Sequence, residues 1–356
     1  VKKKQKVIKT LGVIVVLAIA LAAAGAYVLV RRVYEPYQGY QHEQLLEIPS
    51  GSGPAAIGRT LVGAGVVRDE LTFRMALWLS GNARRLQAGE YRFDRPMSSV
   101  AVIDKIARGE VDLQPLTFRE GLTIREMAEV FEKSGRGSAA AFIEAASDPS
   151  PIRSLDPAAT DLEGYLFPDT YSLPRQVTAA RVVRAMVDRF QQGLSPEITA
   201  AAKERDLSVR ELVTLASLVE KETGRAEERP IVAAVYANRL RIGMGLQCDP
   251  TVIYALQKAG RYDGNLRRDD LAFDSPYNTY RYAGLPPGPI AAPGQGSLAA
   301  AARPAQVPYL YFVSRNDGSH EFATTLDEHN RNVRKYQVQY FRERRLSGRG
   351  PSAPGQ

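Results

Sequence analysis

The chain has 356 residues, a formal net charge of +8, a hydrophobic share of 44%, three histidines (His42, His320, His329) and one cysteine, Cys248. A lone cysteine excludes an intramolecular disulfide, and so few imidazoles leave no basis for a zinc site of the His or Cys/His kind, so no metal or other cofactor is expected. Five of the positive charges are Lys2, Lys3, Lys4, Lys6 and Lys9; the remainder is only mildly basic, without the concentrated Lys/Arg face of a nucleic-acid binder.

An uncharged apolar run from Leu11 to Val30 follows these lysines, and Arg31 and Arg32 close it. About twenty apolar residues suffice to cross a bilayer core of about 30 Å, whereas a cleaved signal peptide has a shorter apolar region. Ala22, Ala23 and Ala24 can mimic a cleavage site, but the length favours an uncleaved anchor over residues 11–30. The excess of lysines before it sets residues 1–10 in the cytoplasm and the body outside the cell membrane. Residues 31–45 read as a polar, Tyr-rich spacer.

The exported body, about 320 residues, is long enough for two domains. Two segments resemble each other at a spacing of 70 residues: Ile48 corresponds to Phe118, Gly51 to Gly121, Leu61 to Phe131 and Gly65 to Gly135. Each reads as a short strand, a glycine turn and an amphipathic helix closed by glycine. Between them the pattern predicts a helix over 69–79, a strand near 86–93 and a helix over 98–108. The order strand, helix, helix, strand from Glu47 to Phe93 resembles the LysM module, a small sugar-binding α+β fold. Trp78, flanked by Leu77 and Leu79, is expected in the core.

Residues 134–156 are rich in Ala, Ser and Pro and join small helices. Aromatics crowd around Glu163 and Asp169, for which structural hydrogen bonding is at least as good a reading as a place in a cleft. Helices are expected over 177–192, 195–205, 211–223 and 229–241. Further on come a strand over 309–313, a turn at Asp317 and Gly318, a return strand over 321–323 and a helix reaching about residue 345. His329 and Asn330 are read as support for the fold. Residues 347–356 are Gly/Pro/Ser-rich and expected to be disordered.

The helix over 211–223 carries the sharpest signal. Leu212, Leu215 and Val219 recur at helical spacing, and the next position on that stripe is Glu222. At about 100° per residue Glu222 lies roughly 60° from the centre of the apolar arc, and Glu220 roughly 100° away on the other flank. A carboxylic acid held against apolar walls resists ionising, so it can donate a proton near neutral pH and help to break an acetal. The bland alternative is a solvated, frayed helix end.

Amide, hydroxyl and aromatic residues interleave over the next 70 residues. Gln247, Asp249, Thr251 and Tyr254 fall in one stretch, Asn278 and Tyr280 in another, and the proline-rich turn from Gly284 to Ile290 follows. Such groups on loops stiffened by proline suit a sugar-binding cleft. Asp249, followed by Pro250 and Thr251, has a competing role as a helix cap. Asn238 and Arg239 read as buried bonds between helices rather than substrate contacts.

The run Leu215-Ala216-Ser217-Leu218-Val219-Glu220-Lys221-Glu222-Thr223 resembles the signature of the YceG-like family of endolytic murein transglycosylases. So do Asn238 to Met244, Leu246 to Tyr254, Tyr277 to Tyr280 and Gly284 to Ile290, in that order. The resemblance covers the exported body and implies a LysM-like domain over 46–115 and a mixed α+β catalytic domain over 116–346. It also implies Glu222 as the catalytic residue, cleavage within nascent peptidoglycan glycan strands, and penicillin-binding synthases as possible neighbours in the membrane. Cys248 departs from the family's usual Thr or Ser and is not expected to act as a nucleophile.

Lytic transglycosylases can work with one carboxyl group. It protonates the bond between N-acetylmuramic acid and N-acetylglucosamine, then takes the proton from the muramoyl C6 hydroxyl as that oxygen closes on C1. Such an acid needs a pKa of about 6–7 in a partly dry cleft. Gln247, Asp249, Asn278 and Tyr280, with Thr251 and Tyr254 next, are the candidates for orienting the sugar. Two other readings stay open: a hydrolytic muramidase in which Asp249 activates water, and a wall-binding scaffold without activity.

Overall fold

The computed structural model describes the backbone of residues 2–342 and the side chains of residues 11–342. The expected tail over 347–356, and the end of the last helix beyond residue 342, lie outside the described residues. The chain forms two compact units, one of residues 1–115 with 172–176, the other of residues 116–171 with 177–356.

The first unit begins with α1 (Lys2–Tyr34), whose stretch Leu11–Tyr34 is long and apolar enough to cross a membrane. Strand β1 (Gln44–Ile48), helices α2 (Pro54–Gly63) and α3 (Glu70–Ser80), strand β2 (Gly89–Phe93) and helix α4 (Ser99–Ala107) follow. β1 and β2 pair antiparallel, with Leu46 opposite Tyr91. Ile48, Leu61, Phe73, Tyr91, Phe93 and Ile103 form the centre of the core. Asp69 caps α3 by accepting from the Thr72 N–H, and Ser98 caps α4 by accepting from the Ala101 N–H.

Two expectations fail here. The stretch read as a spacer is built into the unit: α1 continues to Tyr34, Val33 is fully buried, Tyr37 bridges Met97, and the Tyr40 hydroxyl donates to the Arg95 carbonyl. Its tyrosines supply the packing that its polar composition concealed. Trp78 is not in the core; it is 75% exposed. The core-facing side of α3 is already filled by Phe73, Ala76 and Leu77, and Trp78 falls on the opposite side.

Strand β3 (Leu113–Thr117) pairs with β4 (Thr170–Pro174). The second unit holds α5 (Ile124–Lys133), α6 (Ala139–Ala146), α7 (Ala179–Gly193), α8 (Pro196–Lys203), α9 (Val209–Glu222), α10 (Arg229–Arg241), α11 (Asp249–Lys258) and α12 (Gln295–Ala302). The hairpin β5 (Tyr311–Ser314) and β6 (His320–Ala323) and helix α13 (Leu326–Val333) close it, with π-helical turns over Arg334–Gln339. The internal resemblance holds in the backbone. Gly51 and Gly121 take φ of 80° and 75°, Gly65 and Gly135 take 70° and 72°, and Ile48, Leu61, Phe118 and Phe131 are all buried.

α9 is the hub of the second unit, with α8, α10, α11 and α12 packed around it. Every residue from Leu212 to Val219 is buried, so the single apolar stripe read from the sequence is replaced by burial all round. Of the two polar members of that stretch, Ser217 is occupied, donating to the Thr214 carbonyl and accepting from the Ile290 N–H, whereas the buried Thr214 hydroxyl has no hydrogen-bond partner among the described residues.

Candidate active site

α9 starts with a capping box, in which Ser208 accepts from the Glu211 N–H and Glu211 accepts in return from the Ser208 N–H. It ends at Glu222, because Thr223 turns extended (φ −139°, ψ 131°) and its hydroxyl donates to Glu228. The last turn therefore leads out of a fully apolar interior directly into two acids, Glu220 and Glu222.

Glu222 is half-buried, and its Oε1 accepts a hydrogen bond of 2.7 Å from the Tyr236 hydroxyl. Tyr236 is itself buried, on the inward face of α10 beside Val232, Val235 and Arg239. The Cys248 thiol faces the same carboxyl, Asp249 adds negative charge nearby, and His320 adds a weaker opposing influence. Among the described residues no ion pair involves Glu222. Burial pushes its pKa up; the hydrogen bonds from Tyr236 and Cys248 pull the other way without cancelling it. Its place at a helix C-terminus, where the dipole is negative, also disfavours the carboxylate.

The neighbours are locked in their protonated forms. Burial, then the charges of Cys248 and Glu222, lift Tyr236 well above the usual phenol range, so it remains a donor. Burial and the Glu222 charge likewise lift Cys248 well above the usual thiol range, which leaves no thiolate for nucleophilic work. Cys248 is held in place by its N–H, which donates to the Thr279 hydroxyl at 3.0 Å.

The side chains expected around this acid divide into two groups. Gln247, Asp249 and Tyr280 have accessible side chains on neighbouring segments. Gln247 sits at a left-handed turn (φ 50°) with its N–H on the Thr279 carbonyl, and the Tyr280 hydroxyl donates to Asp249 Oδ1 at 2.5 Å. Asp249 makes no cap; it is the first residue of α11 and its carboxylate holds Tyr280 instead.

Thr251, Tyr254 and Asn278 are buried, and their polar atoms are spent on the fold. Thr251 donates to the Cys248 carbonyl and meets the Thr279 hydroxyl. Asn278 donates to the carbonyls of Leu271 and Phe273 and accepts from the Tyr280 N–H. Tyr254 donates to Glu163. These three shape the wall rather than face a ligand.

The other polar candidates are structural. Asn238 donates to the carbonyls of Val307 and Tyr309, and Arg239 to those of Leu246 and Leu310, fastening α10 to the segment before β5 rather than to another helix. Asp169 pairs with Arg189, and His329 stacks on Tyr311. Glu163 accepts from the Ile124 N–H at the start of α5, and burial pushes its pKa up to about 8.

Three side chains at or beside Glu222 were not singled out by the sequence reading. Tyr236 is one, and its signal was an inward position three residues before Arg239 on a helix whose other inward residues are small or aliphatic. Glu228 and His320 are the others: the imidazole meets Glu228 Oε2 at 2.7 Å, and Glu228 also accepts from the Thr223 hydroxyl just past Glu222. Burial opposes ionisation of Glu228, but the bonds from His320 and Thr223 outweigh it and hold the carboxyl below its usual range.

Glu220, one turn edge away, is a different kind of acid. Its Oε2 accepts from the Gly294 N–H at 2.9 Å and its Oε1 lies 3.5 Å from Arg229, which also pairs with Glu120 at 3.2 Å. A Cβ at Gly294 would meet the Glu120 carboxyl, the movable end of a half-exposed side chain, which would have to swing aside. A groove of about 570 Å³ opens on this side, lined by Phe118, Glu120, Pro168, Asp169, Glu220 and Arg229 among others.

With this geometry in view, the chain was compared with known proteins. A profile of the YceG-like family matches residues 46–335. An endolytic murein transglycosylase of Bacillus subtilis (strain 168) is 33% identical over 333 residues, which are 89% of this chain and 91% of that protein. An endolytic murein transglycosylase of Streptococcus pneumoniae serotype 2 (strain D39 / NCTC 7466) is 33% identical over 321 residues, 81% of this chain and 57% of that protein. The crystal structure of a yceG-like protein from Listeria monocytogenes superposes with a TM-score of 0.56 at 30% identity, covering 82% of this chain and all of that one.

Proposed function

The chain belongs to the YceG-like family, and from that premise we propose that it is a membrane-anchored lytic transglycosylase acting on peptidoglycan glycan strands. Glu222 is the acid and the base. The observation that carries this reading is its carboxyl, without an ion-pair partner among the described residues, held by a protonated phenol at the end of a buried helix.

Tyr236 occupies Oε1, which leaves Oε2 to carry the proton toward the glycosidic oxygen between N-acetylmuramic acid and N-acetylglucosamine. Charge develops at the sugar C1 as that bond breaks. Glu222, now ionised, is stabilised by the same Tyr236 hydrogen bond and removes the proton of the muramoyl C6 hydroxyl. The oxygen closes on C1 and leaves a 1,6-anhydro end. No water is consumed, and the carboxyl ends the cycle protonated. Gln247, Asp249 and Tyr280 orient the acetamido and hydroxyl groups, while Thr251, Tyr254 and Asn278 keep the loops in register.

Residues 46–115 act as a LysM-like glycan-binding domain and residues 116–346 as the catalytic domain. The Leu11–Val30 run spans the cell membrane with its lysine-rich start in the cytoplasm, which sets the body beside the synthases that extend the strands. Cleavage inside a strand then limits its length.

The test is product analysis of glycan strands treated with the wild type and with Glu222→Gln. Anhydro ends, one water lighter than reducing ends, are expected from the wild type and none from the variant. Reducing ends made by a Glu222- and Asp249-dependent enzyme would establish a hydrolytic muramidase, and binding without cleavage would establish a scaffold.

A further inference from the structure

The first unit meets its membrane span without a joint. The apolar run ends at Val30, and Val33, on the same unbroken helix, is buried in one cluster with Phe73, Ala76 and Leu77 of α3. Three residues of helix are about 5 Å. The headgroup zone on each side of a bilayer is roughly 5–8 Å deep, taking the hydrocarbon core from the whole thickness. α3 is thereby held at the height of the lipid headgroups.

The outer face of α3 suits that position. Leu71 and Trp78, seven residues apart and on one side of the helix, are 59% and 75% exposed, and Leu79 is exposed beside them. Arg74 lies between Leu71 and Trp78 on the same side and is also exposed. Trp78, Phe73 and Leu77 line a groove of about 380 Å³ together with Pro54 and Ala55 of α2. From Pro54 to Ala88 there are five arginines against two acids, and one of those acids, Asp69, is engaged as the α3 cap. Arg31 and Arg32 add charge where α1 leaves its apolar run. A tryptophan beside arginines at the mouth of a span is the composition that seats amphipathic side chains among anionic headgroups.

We infer that the outer face of α3, centred on Trp78 with Leu71 and Arg74, is a second membrane contact that docks on the anionic surface of the bilayer the chain spans. The inference rests on the anchor reading. It makes the first unit lie on the membrane, so that Arg74, Arg84 and Arg85 meet phosphate groups while Leu71 and Trp78 enter the interface.

Trp78 is the only tryptophan in the chain, so its fluorescence reports this face alone. The full chain is reconstituted into phosphatidylcholine vesicles with and without phosphatidylglycerol, and retention after alkaline carbonate extraction is scored in parallel. The expected result is blue-shifted Trp78 emission, quenched by lipids brominated near the headgroup and protected from acrylamide, more strongly with phosphatidylglycerol present. Arg74→Glu combined with Arg84→Glu, both at exposed positions, should lose the phosphatidylglycerol dependence while keeping the chain in the vesicles. Retention together with water-like, acrylamide-accessible emission overturns the docking and leaves the anchor standing. Emission that shifts only when glycan strands are added overturns it in favour of a sugar ligand. Extraction by carbonate overturns the anchor and the docking with it.

Discussion

Glu220 and Glu222 are two residues apart on one helix and meet opposite surroundings. Glu220 receives a backbone N–H from Gly294 and an arginine, and its carboxyl is spent on holding the fold. Glu222 receives a phenol and a thiol, no ion pair among the described residues, and a raised pKa. Proximity in sequence does not set an acid's surroundings; its partners do, since a paired carboxylate is a poor proton donor and an unpaired shielded one is a good donor.

The comparison breaks most decisively at Glu222 itself. Glu222→Gln keeps the Tyr236 contact and the shape but removes the proton, so turnover on glycan strands should fall by about 10²–10⁴ with little change in melting temperature. If turnover survives and Glu220→Gln abolishes it instead, the roles assigned to the two acids are reversed.

A third acid sharpens the rule that burial alone raises a pKa. Glu163, buried and pushed up to about 8, is neutral when the fold is most stable. Its folded pKa lies above the unfolded value, so its contribution is fully present below about pH 4.3 and lost as pH rises through about 8. The wild type should lose a few kcal/mol of stability over that window, on the order of 1.4 kcal/mol per pKa unit. Glu163→Gln should flatten the decline, read as melting temperature against pH; an unchanged slope would show that Glu163 is ionised in the folded chain.

Glu220→Gln removes a charge-assisted bond to Gly294 and one partner of Arg229, and should cost about 1.5–3 kcal/mol of stability with turnover per folded molecule largely kept. Tyr236→Phe is smaller and more diagnostic. The Tyr236 bond lowers the Glu222 pKa, so its loss should raise that pKa further. Activity, present while Glu222 is protonated and lost as pH rises, should then persist to higher pH in the variant, with a turnover loss of about tenfold at neutral pH. An alkaline limb that does not move would place Glu222 outside the observed titration.

The helices up to α10, the hairpin and the duplicated strand–turn–helix were legible because their caps and glycines are local signals, whereas α12 and β4 were not among the expected elements. Asp69, Ser98 and Ser208 accept where a cap should, and Gly51 and Gly121 take the positive φ their spacing demanded. The shielded setting of Glu222 was legible as well, from the apolar residues that precede it. What could not be read was how side chains divide between wall and surface. Thr251 and Asn278 have the same chemistry as residues that face a ligand, and only the tertiary partners of their polar atoms show them spent on loops. Periodicity gave α9 one apolar face, whereas four neighbouring helices cover all of it. Trp78 misled because its flanking leucines suggest burial, and only its angle on α3 denies it.

Val33 has a practical corollary for anyone preparing a soluble fragment. It belongs to α1, the helix whose apolar stretch is long enough to cross a membrane, yet its side chain is buried in one core cluster with Phe73, Ala76 and Ile103. A fragment trimmed to start at Tyr34 leaves that slot empty and forfeits roughly 1.5–3 kcal/mol of apolar burial. Cutting α1 at its natural-looking end therefore wounds the unit it leads into, and a cut several residues upstream spares it.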